Sequence, residues 1–291
     1  MATKINYALK MLFKGRLPAW MVYLVVLMMV VMLYVAYMEV IHTKKLSSVI
    51  ACYENANQDI SPVTKVKLPI LMYHYVEHVK NPYDRIRIRM NIRPEQFEQQ
   101  VIEIKKGGYQ TVFMKEVPKM VESTNGACSY KIALTFDDGY EDFYTDVFPI
   151  LKRQNVKATV YIITDFINKP GFLTTNEIKE LVASGLVEIG SHTLNHSYLK
   201  QTSYNEAKRQ IVQSKKVLEH AFHIQVDTFA YPFGAFDAKA IELVKEASYS
   251  AAVTVMQGSY VSHDNLYTLF RIRPEQLLDG NGVKKLDTLV K

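Results

Sequence analysis

Two groups of side chains able to do acid–base and metal chemistry stand out in the sequence. The first is Asp137-Asp138-Gly139-Tyr140, directly after the apolar run Lys131–Phe136 (KIALTF). Adjacent carboxylates can divide labour, one holding a cation and the other moving a proton. The carboxyl end of a buried strand is where parallel α/β folds put their chemistry. Taken alone, Asp-Gly is also an ordinary turn, and Asp an ordinary helix cap. The second group is Ser191-His192-Thr193-Leu194-Asn195-His196, after the run Val187–Gly190 (VEIG). His192 and His196 stand at i and i+4, which puts both imidazoles on one face of a helical turn and lets them hold one divalent ion. Zinc metalloproteases use that spacing with a glutamate base immediately after the first histidine. Thr193 occupies that position, so protease chemistry is excluded. What remains is a facial site of two histidines and one carboxylate with Asp138 as third ligand, set against two surface histidines beside a cap.

These groups need strands to carry them. Strand candidates are Leu68–Tyr73, Lys131–Phe136, Ala158–Ile163, Val187–Gly190, Thr228–Tyr231, Ala251–Val255 and Leu266–Ile272; helix candidates are Pro94–Lys106, Asp146–Gln154, Thr175–Ser184, Tyr204–Ala221 and Asp237–Glu246. Continuous apolar strands alternating with amphipathic helices predict a parallel α/β arrangement. Periodicity leaves open whether the strands form a doubly wound sheet or a barrel.

The chain has 291 residues, 48% apolar and 22% charged, which excludes a disordered chain and a polytopic membrane protein. Two cysteines, Cys52 and Cys128, are too few for a disulfide framework or a cysteine zinc site. Half of the net charge of +6 belongs to residues 1–41, so the remainder is balanced and no nucleic-acid partner is expected. Leu17–Ile41 carries one charge, Glu39, and is long enough to span a bilayer as a helix. It exceeds a secretory h-region and lacks an Ala-x-Ala cleavage site, so it predicts an uncleaved signal anchor. Lys4, Lys10, Lys14 and Arg16 precede it. The expected layout is a cytoplasmic basic tail (1–16), a transmembrane anchor (17–41), a polar stalk (42–65) and an extracytoplasmic domain (66–291). Val49-Ile50-Ala51-Cys52 has the look of a lipoprotein box, but Lys44 and Lys45 separate it from the apolar core, which favours the anchor over lipidation of Cys52.

TFDDGY followed by SHTLNH resembles the first two motifs of the polysaccharide deacetylases (carbohydrate esterase family 4, with a NodB-homology domain). The likeness extends through LMYHYV at 71–76, RPEQFEQQVIEIKKGGYQT at 93–111, LKRQNVKATVYII at 151–163 and FAYPFGAFD at 229–237. These runs look most similar to the poly-N-acetylglucosamine (intercellular-adhesin type) deacetylases. The resemblance implies a distorted (β/α) barrel of about seven parallel strands, here following one amino-terminal transmembrane helix. It implies Asp137 as catalytic base, Asp138, His192 and His196 as metal ligands, and the backbone N–H of Tyr140 as oxyanion donor. The third motif usually carries an arginine that hydrogen-bonds the base; this chain has Ala230 there. No Leu-x-His with the usual catalytic acid is visible near the carboxyl end. In the adhesin-type branch the acid comes first, in a Tyr-His motif, and Tyr73-His74 fits, making His74 the expected acid. Tyr75, Tyr231 and Phe233 are candidates to line a sugar groove, although aromatics in such a fold more often pack the core. The implied cofactor is a divalent metal, with Zn²⁺ first for this donor set. The implied substrate is an N-acetylglucosamine polymer of biofilm matrix. Peptidoglycan N-acetylglucosamine is the alternative, and a catalytically silent glycan-binding module the rival from another class. The expected partners are the membrane, through the amino-terminal helix, and an exopolysaccharide synthase complex.

Overall fold

A computed structural model describes residues 23–39, 65–122 and 130–274, with short strands at Leu278–Asp279 and Gly282–Val283. The chain divides into two compact units, Met1–Ile60 and Ser61–Lys291. In the first, residues 23–39 are helical and solvent-exposed. Among the described residues no helix is long and apolar enough to cross a membrane, so the structure does not show the expected transmembrane helix. At about 1.5 Å per residue the described helix is several ångströms short of a hydrocarbon core of roughly 30 Å. Residues 17–22 and 40–41 of the expected span, the basic tail, Cys52, Cys128 and all of the stalk except Lys65 lie outside the described residues.

The second unit is built on eight strands: β1 (Ile70–Tyr73), β2 (Gln110–Val112), β3 (Lys131–Phe136), β4 (Ala158–Ile162), β5 (Val187–Ser191), β6 (Thr228–Ala230), β7 (Ala251–Gln257) and β8 (Leu269–Arg271). Seven follow the order β1-β3-β4-β5-β6-β7-β8, every pairing parallel. A bridge between Leu71 and Ile272 returns the chain to β1, with Met72 N–H donating to Ile272 O and Ile272 N–H to Ile70 O. The result is a nearly closed barrel, which resolves the alternative that periodicity left open. All seven predicted strands are present. The short β2 was not foreseen; it pairs with β3 only through 131–133, and β4 takes over at Thr135 and Phe136 on the same edge. That insertion distorts the barrel.

Side chains alternate across each strand. Ile132, Leu134 and Phe136 of β3, and Ala158, Val160 and Ile162 of β4, face outward into a core shared with the helices. Ile70, Ala133, Tyr161, Ala230, Val253 and Leu269 face inward and fill the barrel. Gly190 belongs to this inner layer for a steric reason: a Cβ there would lie 2.4 Å from the Tyr161 ring.

The surrounding helices begin where local chemistry starts them. Pro94 opens Pro94–Lys106, whose Gln96 side chain accepts from Arg93 N–H. Thr174 and Glu177 cap each other's backbone ahead of Thr175–Ala183. Asp237 accepts from Ala240 N–H at the start of Ala238–Glu246. Such caps satisfy amides that have no intrahelical partner. Tyr204–Phe222 is the longest helix among the described residues of this unit. The predicted helix at 146–154 is observed as a π-helical turn at Phe143–Val147 running into an α-helix at Phe148–Gln154.

Candidate active site

The chemistry-bearing side chains gather at the carboxyl ends of the barrel strands. Asp138, His192 and His196 offer ligand atoms within 4.8 Å of one another, the one such group among the described residues. Asp138 Oδ1 is 3.3 Å from Nε2 of each histidine. That oxygen is buried and has no hydrogen-bond partner, a costly condition unless a cation completes it. His192 donates from Nδ1 to Ala230 O at 2.7 Å, which fixes the ring so that Nε2 faces Asp138. Two imidazole nitrogens and one carboxylate, whose buried Oδ1 lacks a partner, fit a divalent metal ion.

The histidines do not share a helical turn as the spacing suggested. Residues 193–195 form a turn in which Thr193 and His196 both take left-handed backbone angles, φ 67° and 63°. Leu194 N–H and Asn195 N–H both donate to the buried Gln210 side chain of the long helix. Thr164 N–H donates to Thr193 O. Asp138 itself has φ 75°. Such conformations persist where surrounding contacts over-determine them, often at functional sites. Burial, aided by repulsion from His192, pushes His196 down to about 4, leaving a neutral imidazole at neutral pH. Burial would raise Asp138, but His192, together with His74 and His196, outweighs it and keeps the carboxylate ionised.

Asp137 extends the inward parity of Ala133 and Thr135, and it meets a residue the sequence reading missed. Arg271, at the end of β8, is fully buried. It donates from Nη1 to Asp137 Oδ1 at 2.8 Å and from Nη2 to Oδ2 at 2.7 Å. Nη1 also reaches Thr135 Oγ1 at 3.1 Å, and Nε reaches Thr254 O at 2.7 Å. Burial alone would raise the Asp137 carboxyl; the Arg271 charge and its paired hydrogen bonds prevail and hold it well below the usual range. The arginine absent from the third motif is thus supplied from another strand. The sequence carried a signal for it: an arginine two residues after Leu269 in an otherwise apolar strand shares that residue's inward face.

His74 follows β1 and is mostly buried, with Nε2 3.8 Å from Asp137 Oδ2, facing the carboxylate without a hydrogen bond. Burial lowers its pKa, with Asp137 and Asp138 pulling the other way. Two residues on, Val76 N–H donates to the buried carboxylate of Asp142, tying the His74 segment to the Asp137 loop. The bridge between Tyr140 and Phe172 is made by Glu141 N–H to Gly171 O and Leu173 N–H to Gly139 O; neither bond uses Tyr140 N–H.

A pocket of about 630 Å³ opens over these groups. His74, Asp137, Asp138, His192, His196 and Phe233 all line it. Phe233 is 61% exposed, with its ring 4.3 Å from that of His196. A left-handed pair presents it, Phe233 at φ 59° and Gly234 at φ 63°. A Cβ at Gly234 would come within 2.4 Å of the Val255 side chain. The other two aromatics proposed for a groove are placed differently. Tyr231 is 1% exposed and packs between Phe229 and Phe236 in the core. Tyr75 is buried, stacked on Tyr140 at 3.9 Å and covered by Arg87.

Residues 125–252 match the family model for polysaccharide deacetylase. The deacetylase PplD of Streptococcus pyogenes, solved in complex with acetate, superposes with a TM-score of 0.71 at 30% identity, covering 78% of this chain and 100% of that one. The chain belongs to the polysaccharide deacetylase family. Asp137, Asp138, His192 and His196 of its first two motifs stand together at the strand ends. The Bacillus subtilis protein YxkH, named for the same family, is 29% identical over 215 residues, 74% of each chain. A poly-beta-1,6-N-acetyl-D-glucosamine N-deacetylase of Staphylococcus aureus is 28% identical over 152 residues, 48% of this chain and 52% of that protein. This chain therefore spans about half the length of that relative.

Proposed function

We propose that this family member is a metal-dependent N-deacetylase acting on N-acetylglucosamine residues of an extracellular polysaccharide and releasing acetate. The observation that carries the reading is the buried Asp137–Arg271 pair, set beside the Asp138, His192 and His196 group and facing His74. Those three residues would hold a divalent cation, zinc first for the donor set, which would supply Lewis-acid polarisation of water and of the acetamide carbonyl. Asp137, kept ionised by Arg271, takes a proton from the attacking water. Tyr140 N–H, outside the Tyr140–Phe172 ladder, is available to the oxyanion of the tetrahedral intermediate. His74 delivers a proton to the departing glucosamine nitrogen, which as an amide nitrogen is a poor leaving group until protonated. Phe233 offers an exposed apolar face to a sugar ring.

The Staphylococcus aureus relative's name supports poly-beta-1,6-N-acetyl-D-glucosamine as the polymer. Three exposed arginines at the pocket favour a second reading, peptidoglycan, whose peptide-stem carboxylates, or lactyl carboxylates on strands stripped of their stems, would give them a partner. Acetate release from defined poly-N-acetylglucosamine and peptidoglycan oligomers, with and without metal, tests both readings. A protein that holds metal and binds glycan but releases no acetate from either would be the silent binding module. The apolar stretch Leu17–Ile41 with its basic flank supports anchoring of the catalytic unit on the extracytoplasmic side of the membrane. Protease added to intact cells should then remove the domain and leave a short protected anchor; a protected domain would overturn that topology.

A further inference from the structure

The pocket rim carries charge that the deacetylation chemistry does not use. Arg85 and Arg89 stand four residues apart on the short helix Arg85–Arg89, hence on one face, and both line the pocket. Arg273, two residues beyond Arg271, lines it as well. All three are exposed, and none has an ion-pair partner among the described residues. Arg87, on the opposite face of the same helix, is already satisfied by Glu77 at 2.6 Å and lies 4.3 Å over the Tyr75 ring. The pocket floor does not offset the rim, because Asp137 is neutralised by Arg271 and Asp138 belongs to the cation group. A neutral sugar polymer leaves three guanidinium groups unanswered, and a partly deacetylated, cationic one is repelled by them.

We propose that Arg85, Arg89 and Arg273 form a subsite for an anionic group, phosphate or carboxylate, carried by the glycan next to the N-acetylglucosamine unit that reacts. This rests on the N-deacetylase reading above. Guanidinium groups suit both anions, because their planar donors match two acceptor oxygens at once. The same rim would repel the newly formed cationic amine and so favour release of product. Exposed Ile86 beside the arginines gives the sugar carrying the anion an apolar surface to rest on.

The test compares three soluble substrates of matched length: a neutral β-1,6-linked N-acetylglucosamine oligomer, an N-acetylglucosamine–N-acetylmuramic acid oligomer with free lactyl carboxylates, and an N-acetylglucosamine oligomer bearing a phosphodiester. The full chain should show a higher kcat/KM on one or both charged substrates, and which one it prefers identifies the source of the anion. Arg85→Gln, Arg89→Gln and Arg273→Gln should each cut that preference by up to about fivefold, the worth of an exposed charge pair, chiefly through KM. Added salt should erode the preference in the same direction. Equal kcat/KM on neutral and charged substrates, or a preference unaltered in the triple variant, would overturn the subsite. Binding of the three oligomers to an Asp137→Asn protein separates this from the activity. Charge-selective binding without turnover by the unmodified enzyme would sink the deacetylase reading alone, and charge-blind binding would sink the subsite.

Discussion

Arg271→Gln is the most informative single change, because the structure supplies its own calibration. Asp137 is 3% exposed and owes its ionised state to two hydrogen bonds and the charge of Arg271. Two other carboxyls of this unit, Glu188 and Asp142, are comparably buried and have no cationic side chain bonded to them; burial pushes each up to about 7. Without Arg271, Asp137 should move toward the same range, by up to about three pH units from an ordinary aspartate. A base protonated at higher pH loses function first on the acid side. The acid limb of kcat/KM should therefore move upward, with activity at pH 6 down by about tenfold from the variant's own plateau and largely regained near pH 8.5. Breaking the buried pair also costs stability, about 3–5 kcal/mol. Arg271→Lys, which keeps the charge but not the fork, is the companion should the glutamine variant fail to fold. Acetate release from pH 5 to 9, read with metal content and Tm, measures all of this. An acid limb that stays in place in a folded, metal-loaded variant would refute the assignment of Arg271 as the group that keeps Asp137 ionised.

Other perturbations separate the remaining roles. His196→Ala should lose bound metal and acetate release together, since it removes one of three ligands; stoichiometric metal with normal turnover would reject the site. Asp137→Asn should keep metal by elemental analysis while the rate falls by about 10²–10⁴, the usual worth of a general base. His74→Ala should lose most amide turnover yet much less hydrolysis of an activated acetyl ester, whose leaving group needs little protonation; equal losses on both would remove it as the acid. Glu188 accepts from Thr159 and Thr228 hydroxyls and Lys115 N–H inside the barrel, with its carboxyl raised to about 7 by burial. The native state then binds more protons than the unfolded one between about pH 4.5 and 7. Stability is fully present below that window and is lost as pH rises through it, by up to about 3 kcal/mol. Glu188→Gln should flatten this slope in urea unfolding at pH 5 and pH 8, and an unchanged slope would reject the shift.

The strands were legible because each is a continuous apolar run between turn signals, and the helices because their caps and periodicity agree. The two motifs were legible because they end such strands. Closure was not, since it depends on the single bridge between Leu71 and Ile272, which no local pattern announces. The histidine pair was found by spacing but for the wrong local reason: left-handed angles at Thr193 and His196, held by Gln210, bring the rings together instead of a helical turn. Tyr75 and Tyr231 were misjudged because residue type does not say which face of a turn a ring will take. Arg271 was overlooked because a motif search looks for the arginine at a place in sequence, while the barrel needs it only at a place in space.

That distinction explains how the site tolerates rearranged motifs. Inward parity runs through Ala133, Thr135 and Asp137, through Glu188, Gly190 and His192, and through Leu269 and Arg271, so the reactive groups form the top layer of the barrel filling. Any strand whose inward residue reaches that layer can supply a given function. β8 brings Arg271 to Asp137 where the end of β6 carries alanine, and the proposed acid, His74, comes from the segment after β1. At the position of the missing arginine, Ala230 leaves its carbonyl to orient His192, so the third motif still positions the Asp138, His192 and His196 group through its backbone. The chemistry is thus constrained by layer and parity more tightly than by order along the chain.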